Sequence, residues 1–239
     1  MNVFWKLKEP CIPVEIIGKF SRPSNTVMDI GASIEEWTLR MANMVGSEGR
    51  VYSFEPIPLI NKSLSKTLRI NNLSQVTLCQ LALGDQSGDL EFTIPIDSND
   101  RAIHGESRLG TEEGNWNIYT EVKSTKKIKV KTSTLDQFAS ERSIDRLDFV
   151  KIDVEGKEIG VLEGGRETFS RFTPALILEV GCEEDDRKRI AKLLRSWGYG
   201  FVGIIFAHGI VEVSWKQHVN LDNPFIKKYP SNVLLLSNK

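Results

Sequence analysis

The sequence has few cysteines and few histidines, and each shortage excludes a kind of site. Its three cysteines, Cys11, Cys79 and Cys182, are odd in number and lie far apart. This spacing excludes both a disulfide framework and a Cys-x-x-Cys metal knuckle. With only three histidines, no constellation of His and Cys side chains demands a metal ion, so we expect no metal site.

The chain also lacks an excess of charge of either sign. Thirty-one Lys and Arg residues face 32 Asp and Glu residues, which gives a formal net charge of -1 at pH 7. Nucleic-acid-binding proteins usually have a strongly basic balance, so we do not expect this chain to bind nucleic acid. A content of 40% hydrophobic and 26% charged residues is that of a soluble globular protein rather than a fibrous or disordered one.

No segment is apolar for long enough to cross a bilayer. The longest apolar runs hold four to six residues, such as Val233–Leu236, whereas a spanning helix needs about 20. Near the amino terminus, Lys6 and Pro10 interrupt the apolar residues of Met1–Phe20 before a secretion-signal core can form. We therefore expect a cytoplasmic protein without a membrane span, and the sequence leaves peripheral membrane association open.

Short β-branched runs alternate with amphipathic segments along most of the chain, a pattern typical of a parallel sheet wrapped by helices. We predict an α/β fold in a single domain, 1–239, with a lead-in at 1–24 and a core at 25–239. The predicted strands are Thr26–Ala32, Val51–Phe54, Val76–Leu83, Phe149–Val154, Ala175–Val180, Phe201–Phe206 and Asn232–Leu236. The predicted helices lie near Ile34–Val45, Ile57–Leu68, Ile159–Phe169 and Glu184–Trp197.

One stretch, Asp97–Lys126, interrupts this alternation. It is polar, contains Gly105, Gly110 and Gly114, and has no sustained apolar period. A loop of that length inside a compact domain is usually either functional or disordered. Two interpretations therefore stay open, a surface insertion or a lid over an active site.

Glycine and acidic residues follow the first two predicted strands, at the edge where an open α/β sheet forms its ligand crevice. Within Asp29–Ser33, Gly31 lets the backbone approach a ligand, and free helix amides can hold an anion. Glu55 follows Gly31 by 24 residues, and a carboxylate there can accept both hydroxyls of a ribose, with Pro56 fixing the turn. Each feature alone would also suit a simple turn or a solvated strand end, whereas together they favour a ribose-containing ligand.

Two further strand ends complete the candidate site. Leu81 and Ala82 offer an apolar wall for a flat adenine, although ordinary core packing would have the same composition. Asp153 and Glu155 lie two residues apart, so on a strand both would point into the crevice. Two carboxylates at a strand exit are more than packing requires, which favours a ligand site there.

Five sequence blocks carry a resemblance to a known family. In chain order they are VMDIGAS, GRVYSFEP, NNLSQVTLCQLALGD, TSTLDQF and DFVKIDVEGKEIGVLEGG. Over about residues 25–181 the chain resembles the FkbM family of S-adenosylmethionine-dependent methyltransferases. The resemblance implies a Rossmann-like class I methyltransferase fold, with a seven-stranded, mostly parallel sheet, its last strand antiparallel, and helices on both faces. It also implies S-adenosylmethionine as cofactor and methyl transfer to a hydroxyl of a sugar, glycan or natural product.

The resemblance assigns roles to particular residues of this chain. Cofactor contacts are implied for Asp29, Gly31, Ala32, Ser33, Glu55, Pro56, Leu81, Ala82 and Asp153. From their residue types and positions, Asp153, Glu155, Glu179, His104 and His208 are candidate general bases, although a lone histidine such as His104 or His208 is more often a surface residue. Asp153 has a second possible role, holding the amino group of the cofactor. The implied partner is a small-molecule or glycan acceptor, and we expect His218 to be a surface residue.

The first motif departs from the family pattern at Glu35. Family members usually read Asp-x-Gly-Ala-Asn-x-Gly, and this chain has Ser33 for the asparagine and Glu35 for the second glycine. The Glu35 carboxylate either repels the carboxylate of the cofactor or points outward and stabilises the helix start. A non-catalytic binding or partner subunit is therefore one alternative. A nicotinamide-dependent dehydrogenase is another, although two of the three glycines of its G-x-G-x-x-G fingerprint are missing.

Overall fold

The computed structural model describes residues 18–33, 36–99, 108–109, 122–181, 183–206, 209–220 and 231–237. Their strands are β1 (Thr26–Ile30), β2 (Arg50–Phe54), β3 (Val76–Cys79), β4 (Ala82–Leu83), β5 (Gly88–Asp97), β6 (Arg108–Leu109), β7 (Val122–Ser133), β8 (Phe149–Ile152), β9 (Ala175–Val180), β10 (Tyr199–Phe206), β11 (Gly209–Val213) and β12 (Ser231–Ser237). Their helices are α1 (Glu36–Val45), α2 (Pro58–Ile70), α3 (Leu135–Glu141), α4 (Glu158–Gly164), α5 (Arg166–Phe172), α6 (Glu184–Ser196) and α7 (Trp215–Asn220). None of the helices in this described part of the chain combines the length and apolar content that a membrane span needs.

The larger sheet has eight strands in the order β11-β10-β12-β9-β8-β1-β2-β3. Neighbouring strands from β3 to β9 pair in parallel, and β12 runs antiparallel between β9 and β10. This confirms the mostly parallel sheet with its last strand antiparallel. The predicted count of seven strands is wrong, because β11 pairs antiparallel with β10 and adds an edge strand.

A smaller sheet, in the order β4-β7-β5-β6, was not predicted. Its strands β5 and β7 form a long antiparallel pair, from Gly88 opposite Thr132 to Asp97 opposite Val122. The predicted third strand is two strands, because β4 leaves the larger sheet and pairs with β7. The expectation of a stretch without regular structure over Asp97–Lys126 is wrong at its two ends, which lie in β5 and β7. Most of the remaining stretch lies outside the described residues.

Successive residues of β1 pack against opposite faces of the larger sheet, as the alternation of a strand requires. Val27 lies in one apolar cluster with Met41 and Val45 of α1. Met28 lies in a second cluster with Phe138 of α3. Val27 and Met28 are both fully buried, and burial of one such side chain contributes roughly 1.5 to 3 kcal/mol. Helices therefore cover both faces of the sheet, as predicted, and the carboxyl edge of the strands is the position for a site.

The predicted helix over Ile159–Phe169 is in fact two helices, α4 and α5, with Gly165 between them. A carboxylate from α3 caps the second of these helices. The oxygens of Asp136 accept hydrogen bonds from the amides of Glu167 and Thr168, at 3.0 and 2.8 Å. The first turn of α5 thus obtains partners for amides that lack any within the helix. The period of the apolar residues continues through both helices, so the sequence pattern alone predicts one.

Candidate active site

The turn after β1 lies directly against the turn after β8. Gly31 has a φ of +80°, and a Cβ atom on it would lie 1.8 Å from the carbonyl oxygen of Asp153. The amides of Gly31 and Ala32 donate to the carbonyl of Phe54, at 3.1 and 2.9 Å. Three of the predicted site segments therefore meet through backbone atoms, and only glycine fits the closest approach.

Glu55 follows β2. Its carboxylate accepts hydrogen bonds from two backbone segments, the turn after β1 and the residues just before α2. The amide of Ser33 donates to Oε2 at 3.0 Å, and the amide of Ile57 donates to Oε1 at 2.7 Å. Glu55 is 4% exposed. Burial raises the pKa of Glu55 to about 7, although the two amides and the charge of Lys151 act to lower it. The predicted ribose-binding acid is thus fixed in place and changes its charge near neutral pH.

A buried lysine lies beneath these turns. Lys151 on β8 donates from Nζ to the carbonyl of Gly31 at 2.9 Å. The same Nζ lies 3.6 Å from Oδ1 of Asp29 and 3.4 Å from Oδ2 of Asp153. Lys151 is 2% exposed and Asp29 is fully buried, so their attraction is little screened by solvent. One cation therefore ties the ends of β1 and β8 together.

The carboxylate of Asp29 has internal partners. Its Oδ2 accepts a hydrogen bond from Oγ1 of Thr38 at 2.6 Å, and Oγ1 of Thr38 lies 2.8 Å from Oγ of Ser53. All three side chains are buried. Asp29 thus contacts Lys151, which in turn donates to the carbonyl of Gly31. The Asp29 carboxylate is buried and is not open to a ligand in this structure.

Asp153 and Glu155 do not lie on a strand, because β8 ends at Ile152. The expectation that strand alternation points both side chains the same way is therefore wrong. Glu155 and Gly156 have φ values of +53° and +90°, and these left-handed residues turn the chain away from the sheet. The Asp153 side chain is 30% exposed, and Glu155 is exposed. We name residues 153–156 the acidic turn.

The acidic turn is bound by a second carboxylate that lies further along the chain. Glu158, the first residue of α4, accepts hydrogen bonds at Oε1 from the amides of Val154 and Gly156, both at 3.1 Å. Glu158 is 6% exposed. Burial raises the pKa of Glu158, while its backbone hydrogen bonds act to lower it.

The remaining predicted residues take varied positions. Pro56, Leu81 and Ala82 are half-buried. Leu81 packs against the apolar cluster that contains Met28 and Phe138, while Ala82 pairs with Thr132 in the smaller sheet. Glu179 is half-buried on β9, opposite Asn232 of β12. Glu35, His104 and His208 lie outside the described residues.

His218 is buried, and the expectation that it lies at the surface is wrong. It is 1% exposed, and its Nδ1 lies 3.5 Å from Nη1 of the buried Arg187. Burial, followed by the charge of Arg187, lowers the pKa of His218 to about 4. The imidazole is therefore neutral at physiological pH, and its packing is structural. The described part of the chain contains no group of three or more acidic, His or Cys side chains placed to hold a metal ion.

Sequence reasoning missed three residues of this site, Thr38, Lys151 and Glu158. Lys151 left one signal, a charged residue inside the otherwise apolar strand FVKI. A lysine at a buried position is rare without a paired acid, so a nearby carboxylate could have been inferred. Thr38 and Glu158 left no comparable signal, because both types are ordinary near a helix start.

A comparison with protein families decides the identity of this arrangement. The family model described as the methyltransferase FkbM domain matches residues 29–201, a range that contains Gly31, Glu55 and the acidic turn. The chain belongs to the FkbM methyltransferase family. It is therefore a methyltransferase enzyme with S-adenosylmethionine as its cofactor.

Curated proteins similar to this FkbM chain include three methyltransferases. Methyltransferase sdnD of Sordaria araneosa is 26% identical over 194 residues, which are 74% of this chain and 74% of that protein. Methyltransferase 1 of Beauveria bassiana is 25% identical over 178 residues, 72% of this chain and 71% of that protein. The 2-O-methyltransferase NoeI of Sinorhizobium fredii is 24% identical over 160 residues, 66% of this chain and 64% of that protein.

Solved structures share the fold of this FkbM chain. Methyltransferase FkbM from Methylobacillus flagellatus KT matches with a TM-score of 0.55 and 16% identity, over 93% of this chain. This chain spans 50% of the length of that protein. Precorrin-6y C5,15-methyltransferase from Geobacter metallireducens matches with a TM-score of 0.50 and 11% identity, over 95% of this chain and 87% of that one. At such identities the likeness shows the class I methyltransferase fold and nothing finer.

Proposed function

We propose that this FkbM methyltransferase transfers the methyl group of S-adenosylmethionine to a hydroxyl oxygen of a sugar, glycan or natural product. The observation that carries the proposal is the Glu55 carboxylate, fixed at the end of β2 against the turn after β1. The relative named 2-O-methyltransferase supports oxygen as the methylated atom. A dehydrogenase is disfavoured because the family match covers residues 29–201.

The residues at the carboxyl edge fit S-adenosylmethionine. Each oxygen of Glu55 accepts one backbone hydrogen bond, and a carboxylate offers about four acceptor positions in total. Capacity for two ribose hydroxyls therefore remains. Gly31 lets the turn after β1 pack directly on the backbone of Asp153, and the half-buried Leu81 would provide an apolar surface for adenine. This set would hold the nucleoside part of the cofactor.

When bound, the cofactor supplies an electrophilic methyl group, and transfer is an in-line displacement. The work left to the protein is to position the acceptor and to take its proton. We assign Asp153 to the amino group of the cofactor, because it directly follows β8 at the carboxyl edge and its side chain is 30% exposed there. Glu155, Glu179, His104 and His208 stay the candidate proton acceptors.

The acceptor class is tested with methyl-labelled S-adenosylmethionine and a panel of sugars and small alcohols, each matched with its amino-sugar or amine analogue. We expect label on a hydroxyl oxygen, detected by NMR as a methyl ether. Transfer only to nitrogen would refute the proposed chemistry. Calorimetric titration with the cofactor and its demethylated product, without any acceptor, reports the cofactor site separately.

We expect cofactor affinity to rise with pH through the titration of Glu55. Ribose hydroxyls donate to the ionised carboxylate, and burial holds the pKa of Glu55 at about 7. Affinity should therefore increase by up to roughly tenfold from pH 6 to pH 8. In Glu55→Gln, affinity should fall by about 10- to 100-fold at pH 8, the scale of lost charge-assisted hydrogen bonds, and its pH dependence should disappear. Calorimetry across this range is the measurement, and an unchanged affinity in the variant removes Glu55 from the site.

Glu55 should also make the free energy of unfolding depend on pH. Because burial raises the pKa of Glu55 from 4.5 to about 7, the folded protein binds this proton more tightly than the unfolded chain. The stabilisation is fully present below about pH 4.5 and is lost as pH rises through about 7, a total on the order of 3 kcal/mol. Urea denaturation at several pH values, wild type against Glu55→Gln, measures it. A difference between the two proteins that is constant with pH would contradict the expectation.

A further inference from the structure

The acidic turn has an unusual backbone that one buried carboxylate holds. Glu155 is a non-glycine residue with φ of +53°, and Gly156 follows it with φ of +90°. Residues with side chains keep such a conformation only where their surroundings impose it. Oε1 of Glu158 accepts the amide of Val154 on one side of Glu155 and the amide of Gly156 on the other. One oxygen atom therefore clamps both ends of the left-handed residue.

Packing alone does not explain an acid at this position. Glu158 is 6% exposed, and a carboxylate at such depth is costly unless hydrogen bonds compensate it. Successive amides in a left-handed turn form a concave site that suits an anion, and here the anion is the side chain of Glu158. Val161 and Leu162 of the same helix α4 pack in the apolar cluster that contains Met28 and Phe138. The packing of α4 against the core therefore does not depend on Glu158.

Asp153, the first residue of the acidic turn, contacts the turn after β1 and the buried Lys151. The carbonyl of Asp153 faces Gly31 at the closest backbone approach, and Lys151 contacts the carboxylate of Asp153. These contacts hold Asp153 from the side of β1 and β8, whereas Glu158 holds the residues that follow. Without Glu158, the amides of Val154 and Gly156 lose the carboxylate oxygen to which both donate.

We propose that Glu158 is a positioning residue of the methyltransferase site. Through the amides of Val154 and Gly156 it fixes the acidic turn, so that Asp153 faces the bound cofactor. The proposal rests on the assignment of Asp153 to the cofactor. Glu158 itself contacts neither cofactor nor acceptor.

The test compares Glu158→Ala with Glu158→Gln. The glutamine keeps one oxygen that accepts both amides, whereas alanine removes the acceptor. We expect Glu158→Ala to weaken S-adenosylmethionine binding at least tenfold in calorimetry and Glu158→Gln to stay within about threefold of wild type. Hydrogen exchange at the amides of Val154 and Gly156 should be at least tenfold faster in Glu158→Ala and unchanged in Glu158→Gln.

Glu163→Ala is the matched control on the same helix. Glu163 pairs with Arg189 at 2.7 Å near the surface, so its loss should change neither cofactor affinity nor exchange in the acidic turn. If Glu158→Ala does not fold, Glu158→Asp replaces it. The shortened carboxylate no longer reaches both amides, and exchange should accelerate at one or both of them.

Two results would overturn the proposal. One is wild-type cofactor affinity in folded Glu158→Ala or Glu158→Asp, and the other is a tenfold loss in Glu158→Gln, which would indicate charge rather than the held amides. The exchange measurement needs neither cofactor nor acceptor. A failure to methylate hydroxyls would therefore refute the proposed function while leaving this result to stand or fall separately.

Discussion

Replacing Gly31 with alanine should lower the free energy of unfolding by about 2 to 5 kcal/mol and weaken cofactor binding at least 100-fold. The added Cβ would lie 1.8 Å from the carbonyl oxygen of Asp153 and 2.9 Å from its carbonyl carbon. Both atoms belong to the backbone, so no side-chain rotation relieves the contact. The left-handed conformation at φ of +80° adds about 1 to 2 kcal/mol for a residue with a Cβ, and forced separation of two packed segments adds typically 1 to 3 kcal/mol more.

Gly46→Ala separates these two contributions. Gly46 has a similar φ of +68°, but a Cβ on it would meet nothing within 4 Å. It should cost only the conformational part, about 1 to 2 kcal/mol, and leave cofactor affinity unchanged. Urea denaturation and calorimetric titration of both variants give the comparison. Equal losses in the free energy of unfolding for the two variants would mean that the contact with Asp153 contributes nothing to the effect of Gly31→Ala.

Lys151→Met should be the most damaging change of a charged side chain in the described site. It removes the cation that lies 3.6 Å from the fully buried Asp29 and leaves that carboxylate with the hydrogen bond from Thr38. Loss of one partner from a buried ion pair typically costs 3 to 5 kcal/mol, because an uncompensated charge stays behind. The pKa of Glu55 should also rise further, since the charge of Lys151 acts to lower it. The pH at which cofactor affinity increases should move upward accordingly.

Two further variants make this expectation specific. Lys127→Met removes a cation whose pair with Glu91, at 2.9 Å, lies in solvent with side chains 51% and 39% exposed, so the unfolding midpoint should barely change. Adding Asp29→Asn to Lys151→Met removes the stranded charge and should recover part of the lost stability. A wild-type unfolding midpoint in Lys151→Met would contradict the buried network, as would the absence of any recovery in the double variant.

The central strands of the larger sheet could be predicted because both of their faces are buried, whereas the partly exposed edge strand β11 was missed. Val27 and Met28 point to opposite sides and are both apolar, which produces the continuous apolar run typical of a central parallel strand. The β5 and β7 pair is different, because its outer face is solvated and carries residues such as Lys127 and Lys129. Pro95 inside β5 also argues against a strand. The alternation through Phe92 and Ile94 was a readable signal, but a weaker one.

The candidate site divides in the same way. Gly31, Glu55 and Asp153 could be located from sequence because each follows a strand, and parallel strand ends share one edge. The role of Lys151 could not, because it depends on strand register: Lys151 lies directly opposite Asp29 in the pairing of β8 with β1. The positions of strands can be predicted from a single sequence, but the register in which two strands pair cannot. The same holds for His218, whose partner Arg187 is brought near by tertiary packing alone.

The hydrogen bond from Lys151 to Gly31 joins residues 120 positions apart, and this separation has a consequence for synthesis and folding. Closing so long a loop carries an entropic cost that local helices do not have. The proposed cofactor site therefore forms only after β8 has been synthesised and has paired with β1. S-adenosylmethionine, which stabilises only the state that binds it, acts on the completed parallel core and gives no assistance to the nascent amino-terminal half.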